Sequence, residues 1–211
     1  MASVSGLTAE RFLKLRCTLS ERIGTRRFSH TLGVEEAIID LGERYLPGDI
    51  PRLRIAALLH DITKEWAPEK QIEFCERKGI PLSPEERAVP RILHAKTGAY
   101  LAEHEFFPFV DKGILDAIRR HTTGAYGMTV FDELLYLADY IEPTRTYEEC
   151  IALRERFLLG YERAEDRLAH LHATVLFALQ STVKEIEERG GTVFFDTMDA
   201  IRFLTEKLAN T

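Results

Sequence analysis

The chain has 211 residues, 45% of them hydrophobic, which is enough apolar material for a sizeable core and spans one large domain or two small ones. Acidic residues outnumber basic ones by 34 to 28, and the net charge of −6 argues against a broad nucleic-acid or anionic-membrane surface while leaving room for a small basic phosphate pocket. The three cysteines, Cys17, Cys75 and Cys150, are odd in number and lack CxxC spacing, so a disulfide framework is not expected and a cytoplasmic location fits. The start, Met1 to Leu7, lacks the charged segment and apolar stretch of a signal peptide, and no apolar run approaches the roughly 20 residues needed to span a bilayer.

Apolar residues recur mostly at three- and four-residue spacing, and sustained alternation is scarce, so the expected fold class is all-α. In chain order the pattern predicts about eleven helices, over 8–22, 26–45, 51–64, 68–78, 84–93, 95–106, 111–121, 129–141, 147–158 and 164–189, with a last one near 197–209. Leu46-Pro47-Gly48-Asp49 ends the second helix, and Pro68 and Gly79 bracket the fourth. Ser83-Pro84-Glu85-Glu86 and Thr146-Tyr-Glu-Glu149 both read as capping boxes. Gly190 to Phe195 is the one stretch expected to be extended. We expect a single domain over 1–211, with a core at about 20–160 and C-terminal helices at about 161–211 that pack on the core or form a homodimer surface.

Six residues on or beside these apolar helices are of metal-ligand type: His30, His60, Asp61, His94, His121 and Asp139. The run Ala56-Ala57-Leu58-Leu59 ends directly in the His60-Asp61 pair. Imidazole nitrogen with carboxylate oxygen suits divalent transition metals better than magnesium or calcium alone. On a helix, Lys64 lies four residues after His60 and three after Asp61, over the same face, where its ammonium suits a substrate phosphate. Arg27, three residues before His30, and Arg145, beyond the Pro143 that ends the Asp139 helix, are further phosphate candidates because a guanidinium fork matches phosphate oxygens. Thr97, one turn after His94, is placed to reach a phosphate or to pack within its helix. Thr122 and Thr123 read as the end of the His121 helix. His104, His170 and His172 match no ligand pattern, and Trp66, Phe106, Phe107 and Phe109 read as packing residues.

The strings Arg27-Phe-Ser-His30, Ala57-Leu-Leu-His-Asp-Ile-Thr-Lys64, Leu93-His-Ala-Lys-Thr-Gly-Ala99, Ala117-Ile-Arg-Arg-His-Thr-Thr-Gly124 and Leu137-Ala-Asp-Tyr-Ile-Glu-Pro-Thr-Arg145 come in a telling order. Together the chain resembles the HD-domain phosphohydrolases over nearly all its length, and most nearly their YqeK-type branch of symmetrical dinucleoside tetraphosphate hydrolases. The resemblance implies an HD-domain helical bundle with additional C-terminal helices. It implies that His30, His60, Asp61 and Asp139 hold one metal and that His94 and His121 hold a second, with Asp61 bridging. Iron, or manganese in its place, is the implied metal, and zinc suits the same donors. Two metals roughly 3.5–4 Å apart lower the pKa of a bridging water toward about 7, so that hydroxide attacks phosphorus without a protein nucleophile. The candidate catalytic residues are thus Asp61 and Lys64, and the candidate substrate-binding residues Arg27, Lys64, Thr97 and Arg145. The implied substrate is diadenosine tetraphosphate, cleaved to two ADP. The rival readings are an HD-type phosphatase or phosphodiesterase for another nucleotide and a non-catalytic nucleotide-binding protein.

Overall fold

The computed structural model describes residues 8–210, so the Met1–Leu7 start lies outside the described residues. Among these it contains eleven α-helices and no strand, as the apolar spacing predicts. Helices α1 (Ala9–Ser20) and α2 (Thr25–Tyr45) lead through a 3-10 turn at Pro47–Asp49 into α3 (Ile50–Leu59). Then come α4 (Pro68–Lys78), α5 (Pro84–Ala88), α6 (His94–Glu105), α7 (Lys112–Arg120) and α8 (Val130–Ile141). The chain closes with α9 (Glu148–Arg163), α10 (Arg167–Glu188) and α11 (Phe195–Ala209).

Helix α3 is the centre of the molecule. Leu53, Ile55, Ala56, Ala57, Leu58 and Leu59 are all at most 2% exposed, as suits a helix whose C-terminal half is apolar on every side, while Arg52 and Arg54 of its first half reach out to Asp111 and Glu35. Helices α2, α6, α7 and α8 all pack against it. One hydrophobic cluster runs from Phe12 on α1 to Leu204 on α11 and includes Leu171, Val175 and Leu179 of α10. The C-terminal helices therefore pack on the core. Glu133 of α8, fully buried, accepts a hydrogen bond from His172 Nδ1 of α10 at 2.6 Å and ties the two helices. No helix of the described residues is long and apolar enough to cross a membrane.

Several helix ends differ from the sequence reading, each for a local reason. The expected 51–64 helix stops at Leu59. Beyond it the chain turns tightly, with Ile62 N–H bonded to Leu59 O, Lys64 N–H to Asp61 O and Trp66 N–H to Thr63 O. His60, Asp61 and Lys64 therefore sit on turns and not on a helix face. The expected 84–93 helix breaks at Val89, because Pro90 disfavours helical backbone before it; Pro90–Ile92 forms a 3-10 turn instead. The Ser83–Glu86 capping box is present, and Gly79 takes the left-handed conformation that closes α4. Thr146 caps nothing: the backbone oxygen of Tyr147 takes the first helical bonds of α9, and no side chain caps that end. The second box lies instead at Thr129 and Asp132, opening α8. Helix α9 runs past 158 through Gly160, where a Cβ would stand 2.2 Å from the His170 ring; close packing of α9 on α10 demands glycine there. The Gly190–Phe194 segment is a loop without strand pairing.

Candidate metal centre

Each helix around α3 delivers one donor to the same point. His30 comes from α2, His60 and Asp61 from the turn ending α3, His94 from the first residue of α6, His121 from the C-cap of α7 and Asp139 from the last turn of α8. His60 and His94 are 0% exposed, Asp61 and His121 3%. The six predicted ligands are thus brought together. Two sets of donor atoms lie within 4.8 Å of one another: His30, His60 and Asp139, and His60, Asp61 and His121.

The two oxygens of Asp61 face different partners. Oδ2 lies 3.4 Å from His60 Nε2 and 3.7 Å from His30 Nε2. Oδ1 lies 3.2 Å from His94 Nε2 and 3.5 Å from His121 Nε2. Asp139 Oδ1 completes the first group, 3.1 Å from His30 Nε2 and 3.9 Å from His60 Nε2.

All four imidazoles are anchored through their other nitrogen. Nδ1 of His60, His94 and His121 meets the carbonyl oxygens of Ala57, Arg91 and Ile118 at 2.6, 2.8 and 2.7 Å. Nδ1 of His30 meets Glu142 Oε1 at 3.0 Å. Carbonyls and carboxylates only accept, so Nδ1 carries the proton and Nε2 turns a lone pair inward. His94 Nε2 and His121 Nε2 then face each other at 3.1 Å, an arrangement relieved by a positive charge beside them. Lys64 Nζ at 3.1 Å from His94 Nε2, and Thr122 Oγ1 at 3.0 and 3.1 Å from the two rings, stand at that point. His30 Nε2, His60 Nε2 and Asp61 Oδ1 are buried without a hydrogen-bond partner. Lone pairs from nitrogen and oxygen, converging and unsatisfied, fit a divalent transition metal.

Protonation follows the same pattern at His94 and departs from it at His30. Burial pushes His94 down to about 4, against the pull of the Asp61 carboxylate, so the ring is neutral at pH 7. Burial also disfavours charge on His30, but hydrogen bonds to Asp139 and Glu142 outweigh it and hold the ring at about 8, so at pH 7 its Nε2 carries a proton that a bound cation would have to displace. For Asp61, burial works against ionisation, yet the surrounding imidazoles of His60, His121 and His94 hold its carboxyl well below the usual range. Burial lowers the Lys64 ammonium, and Asp61 and Asp139 offset part of that shift.

The predicted phosphate residues divide. Lys64 lies between two cavities, described below. Arg27 Nη1 pairs with Asp61 Oδ2 at 2.6 Å and Arg145 Nη2 with Asp139 Oδ1 at 2.7 Å. Both arginines still have a buried Nε without a partner and line a cleft of about 800 Å³ at the cluster. Thr97 is corrected by the structure. It is fully buried, its hydroxyl donates to Gln71 Oε1 at 2.6 Å and lies 2.8 Å from Thr63 Oγ1, so it meets no cavity. Thr63 in turn donates to the His94 backbone oxygen, which makes this network a support behind the His94 ring. His104 is exposed and its Nδ1 bonds to the Tyr100 oxygen. His170 bonds to the Phe157 oxygen, and neither it nor His172 joins the cluster.

Two site residues were missed in the sequence. Thr122 directly follows His121, yet read as a helix end. Glu142 lies inside the Leu137–Arg145 string, three residues after Asp139, a spacing that marks it as a companion. Its carboxylate accepts from His30 Nδ1, from Thr144 N–H at 2.6 Å and from Thr144 Oγ1 at 2.7 Å. A Cβ on Gly33 would stand 2.2 Å from Glu142 Oε2. Gly33→Ala is therefore expected to push Glu142 off His30 and weaken metal retention about tenfold, the lower range for a supporting hydrogen bond. Metal content after challenge with a chelator checks this; retention equal to the parent would detach Glu142 from the centre.

The HD-domain family model matches residues 27–144, more than half of the chain and every residue from Arg27 through Asp139 described above. The chain belongs to the HD-domain family. Among HD relatives, it is 37% identical over 129 residues to the symmetrical bis(5'-nucleosyl)-tetraphosphatase of Bacillus subtilis, covering 61% of this chain and 68% of that protein. It is 29% identical to the protein of the same name from Staphylococcus aureus, over 90% of this chain and 92% of the other. The crystal structure of a predicted HD superfamily hydrolase involved in NAD metabolism from Clostridium acetobutylicum superposes with a TM-score of 0.81 at 30% identity, over 96% of this chain and 100% of that one. The C-terminal helices outside the HD match are thus part of the shared fold.

Proposed function

We propose that the chain is a metal-dependent hydrolase that cleaves dinucleoside tetraphosphates symmetrically, giving two ADP from diadenosine tetraphosphate. The observation that carries it is the set of four Nδ1-anchored imidazoles gathered on the two oxygens of Asp61. The substrate is supported by the activity for which the Bacillus and Staphylococcus relatives are named. In this reading His30, His60, Asp61 and Asp139 would hold one metal, and His94 and His121, together with Asp61, would hold a second. Iron or manganese suits the donors, with zinc compatible. When bound, the metals supply Lewis acidity toward phosphate oxygens and a water acidic enough to attack at neutral pH.

The chain's own groups do the rest. Lys64 presents a positive charge beside the cluster, where it binds the polyphosphate as a point charge. Arg27 and Arg145 orient Asp61 and Asp139 with one N–H and offer the remaining N–H groups to phosphate oxygens. Thr122 adds a hydroxyl between the His94 and His121 rings. Water adds to the second phosphorus from one nucleoside, the bridging P–O bond to the third phosphate breaks, and the other nucleoside diphosphate leaves. We read the chain as one HD-type domain, supported by the continuous core from α1 to α11, and as acting in the cytoplasm, in keeping with its three free cysteines.

The test is the product. Chromatography at early reaction time is expected to give ADP alone from diadenosine tetraphosphate. ATP and AMP in equal amounts would overturn symmetrical cleavage. A non-catalytic nucleotide-binding protein is disfavoured because all six metal-type residues are present and converge.

A further inference from the structure

Two cavities meet at Lys64. The cleft of about 800 Å³ contains Arg26, Arg27, His30, Asp61, Asp139 and Arg145 and reaches the His30–Asp139 end of the cluster. A second cavity, of about 490 Å³, reaches the His94–His121 end through Thr122 and then runs outward to the Pro90–Ile92 turn and the α10–α11 loop. Both volumes lie in the range of about 300–1,000 Å³ typical of small-molecule sites. The second cavity is absorbed by nothing in the metal centre.

We propose that this second cavity seats the second nucleoside diphosphate half of the substrate, with the base between Ile92, Ile186 and Phe194 and the phosphates on Lys64 and Arg91. The inference rests on the dinucleoside substrate proposed above. A molecule with two equal halves, cut at its middle, needs a nucleoside seat on each side of the cluster, and Lys64 is the residue the two cavities share. The lining suits such a half. Ile92, Ile186 and Phe194 give apolar wall for a flat base. Arg91 makes no ion pair among the described residues, so its guanidinium is available to an anion. Glu185 on the wall is held by Arg189 at 2.6 Å, which leaves the lining positive overall with Lys64 and Arg91. Ile186 and Phe194 lie outside residues 27–144, so the outer wall belongs to the C-terminal helices and not to the HD match. The C-terminal helices thus adapt a metal centre of the HD kind to a substrate with two nucleosides.

Phe194→Ala and Arg91→Glu test this against two substrates. Diadenosine tetraphosphate carries the second nucleoside, and adenosine 5'-tetraphosphate lacks it. The ratio of kcat/KM for the first over the second is expected to fall at least tenfold in Phe194→Ala, mainly through KM, whereas Arg91→Glu, acting on phosphates that both substrates carry, is expected to lower kcat/KM for both and leave the ratio near the parent's. Arg91 is exposed, so that variant keeps the test independent of any folding defect at Phe194. Calorimetric titration of the metal-loaded protein with ADP gives a readout that needs no turnover: two ADP per chain are expected in the parent and one in Phe194→Ala. A ratio within twofold of the parent in Phe194→Ala, unimpaired kcat/KM for both substrates in Arg91→Glu, or a single ADP per chain in the parent would overturn the second seat. A parent that binds two ADP yet releases no ADP from diadenosine tetraphosphate would overturn the proposed reaction and leave the seat standing.

Discussion

Asp61→Ala is expected to abolish turnover and strip metal from the protein. Among the described residues Asp61 is the one carboxylate whose two oxygens face both groups of imidazoles, at 3.2–3.7 Å. Its removal deprives both proposed metal positions of their shared ligand. Loss of about 4 kcal/mol of charge stabilisation corresponds to roughly a thousandfold in rate. The substitution also leaves the Arg27 guanidinium beside the cluster without its acceptor, which adds like-charge repulsion against any cation there. Metal analysis and an activity assay on the same preparation check both parts. His104→Ala is the control, since His104 is exposed and bonds only to the Tyr100 oxygen and ring. Equal metal content in the two variants would refute the bridging role.

Lys64→Ala is expected to keep its metal and lose activity. Lys64 Nζ stands 3.1 Å from His94 Nε2, but an ammonium has no lone pair to give a metal and repels a cation. What it offers is charge to phosphate, at the point where both cavities open. Losing one charge-assisted hydrogen bond costs about 1.5–3 kcal/mol, on the order of ten- to a hundredfold in kcat/KM. Metal content within error of the parent, with kcat/KM reduced, is the expected result. Metal loss in Lys64→Ala would make it part of the centre's support, and unimpaired kcat/KM would remove it from the reaction.

Much of the architecture was legible because helix formation is written locally. Apolar spacing of three and four residues found all eleven helices, and Gly79 and the Ser83–Glu86 box marked ends that the backbone obeys. The errors fell where a local signal met a longer-range demand. Thr146 and Glu149 have capping-box spacing, but the turn closed by Arg145 N–H on Glu142 O delivers the chain so that the helix begins at Glu148. The apolar pattern ends that helix at 158, yet it runs on through Gly160, which is needed inside α9 because His170, ten residues on, packs against it.

By itself the sequence determined the helices, the apolar run that ends the central α3, the six donor types and the basic residues near them. Donor chemistry is a property of the side chain, and helical period is a property of neighbours along the chain. The tertiary structure alone decided how those donors are used. Glu142 orients His30 across 112 residues, and Thr63 braces the His94 backbone across 31. Thr97 was drawn into the Gln71 network instead of facing phosphate, and Arg27 was paired to Asp61 across 34 positions. Such partners are set by how α2, α6, α7 and α8 pack on α3, and hydrogen-bond direction depends on distances of tenths of an ångström that no spacing rule encodes. The second cavity belongs to the same class: its walls come from Lys64, Arg91 and Phe194, which only the docking of α10 and α11 on the core brings to one place.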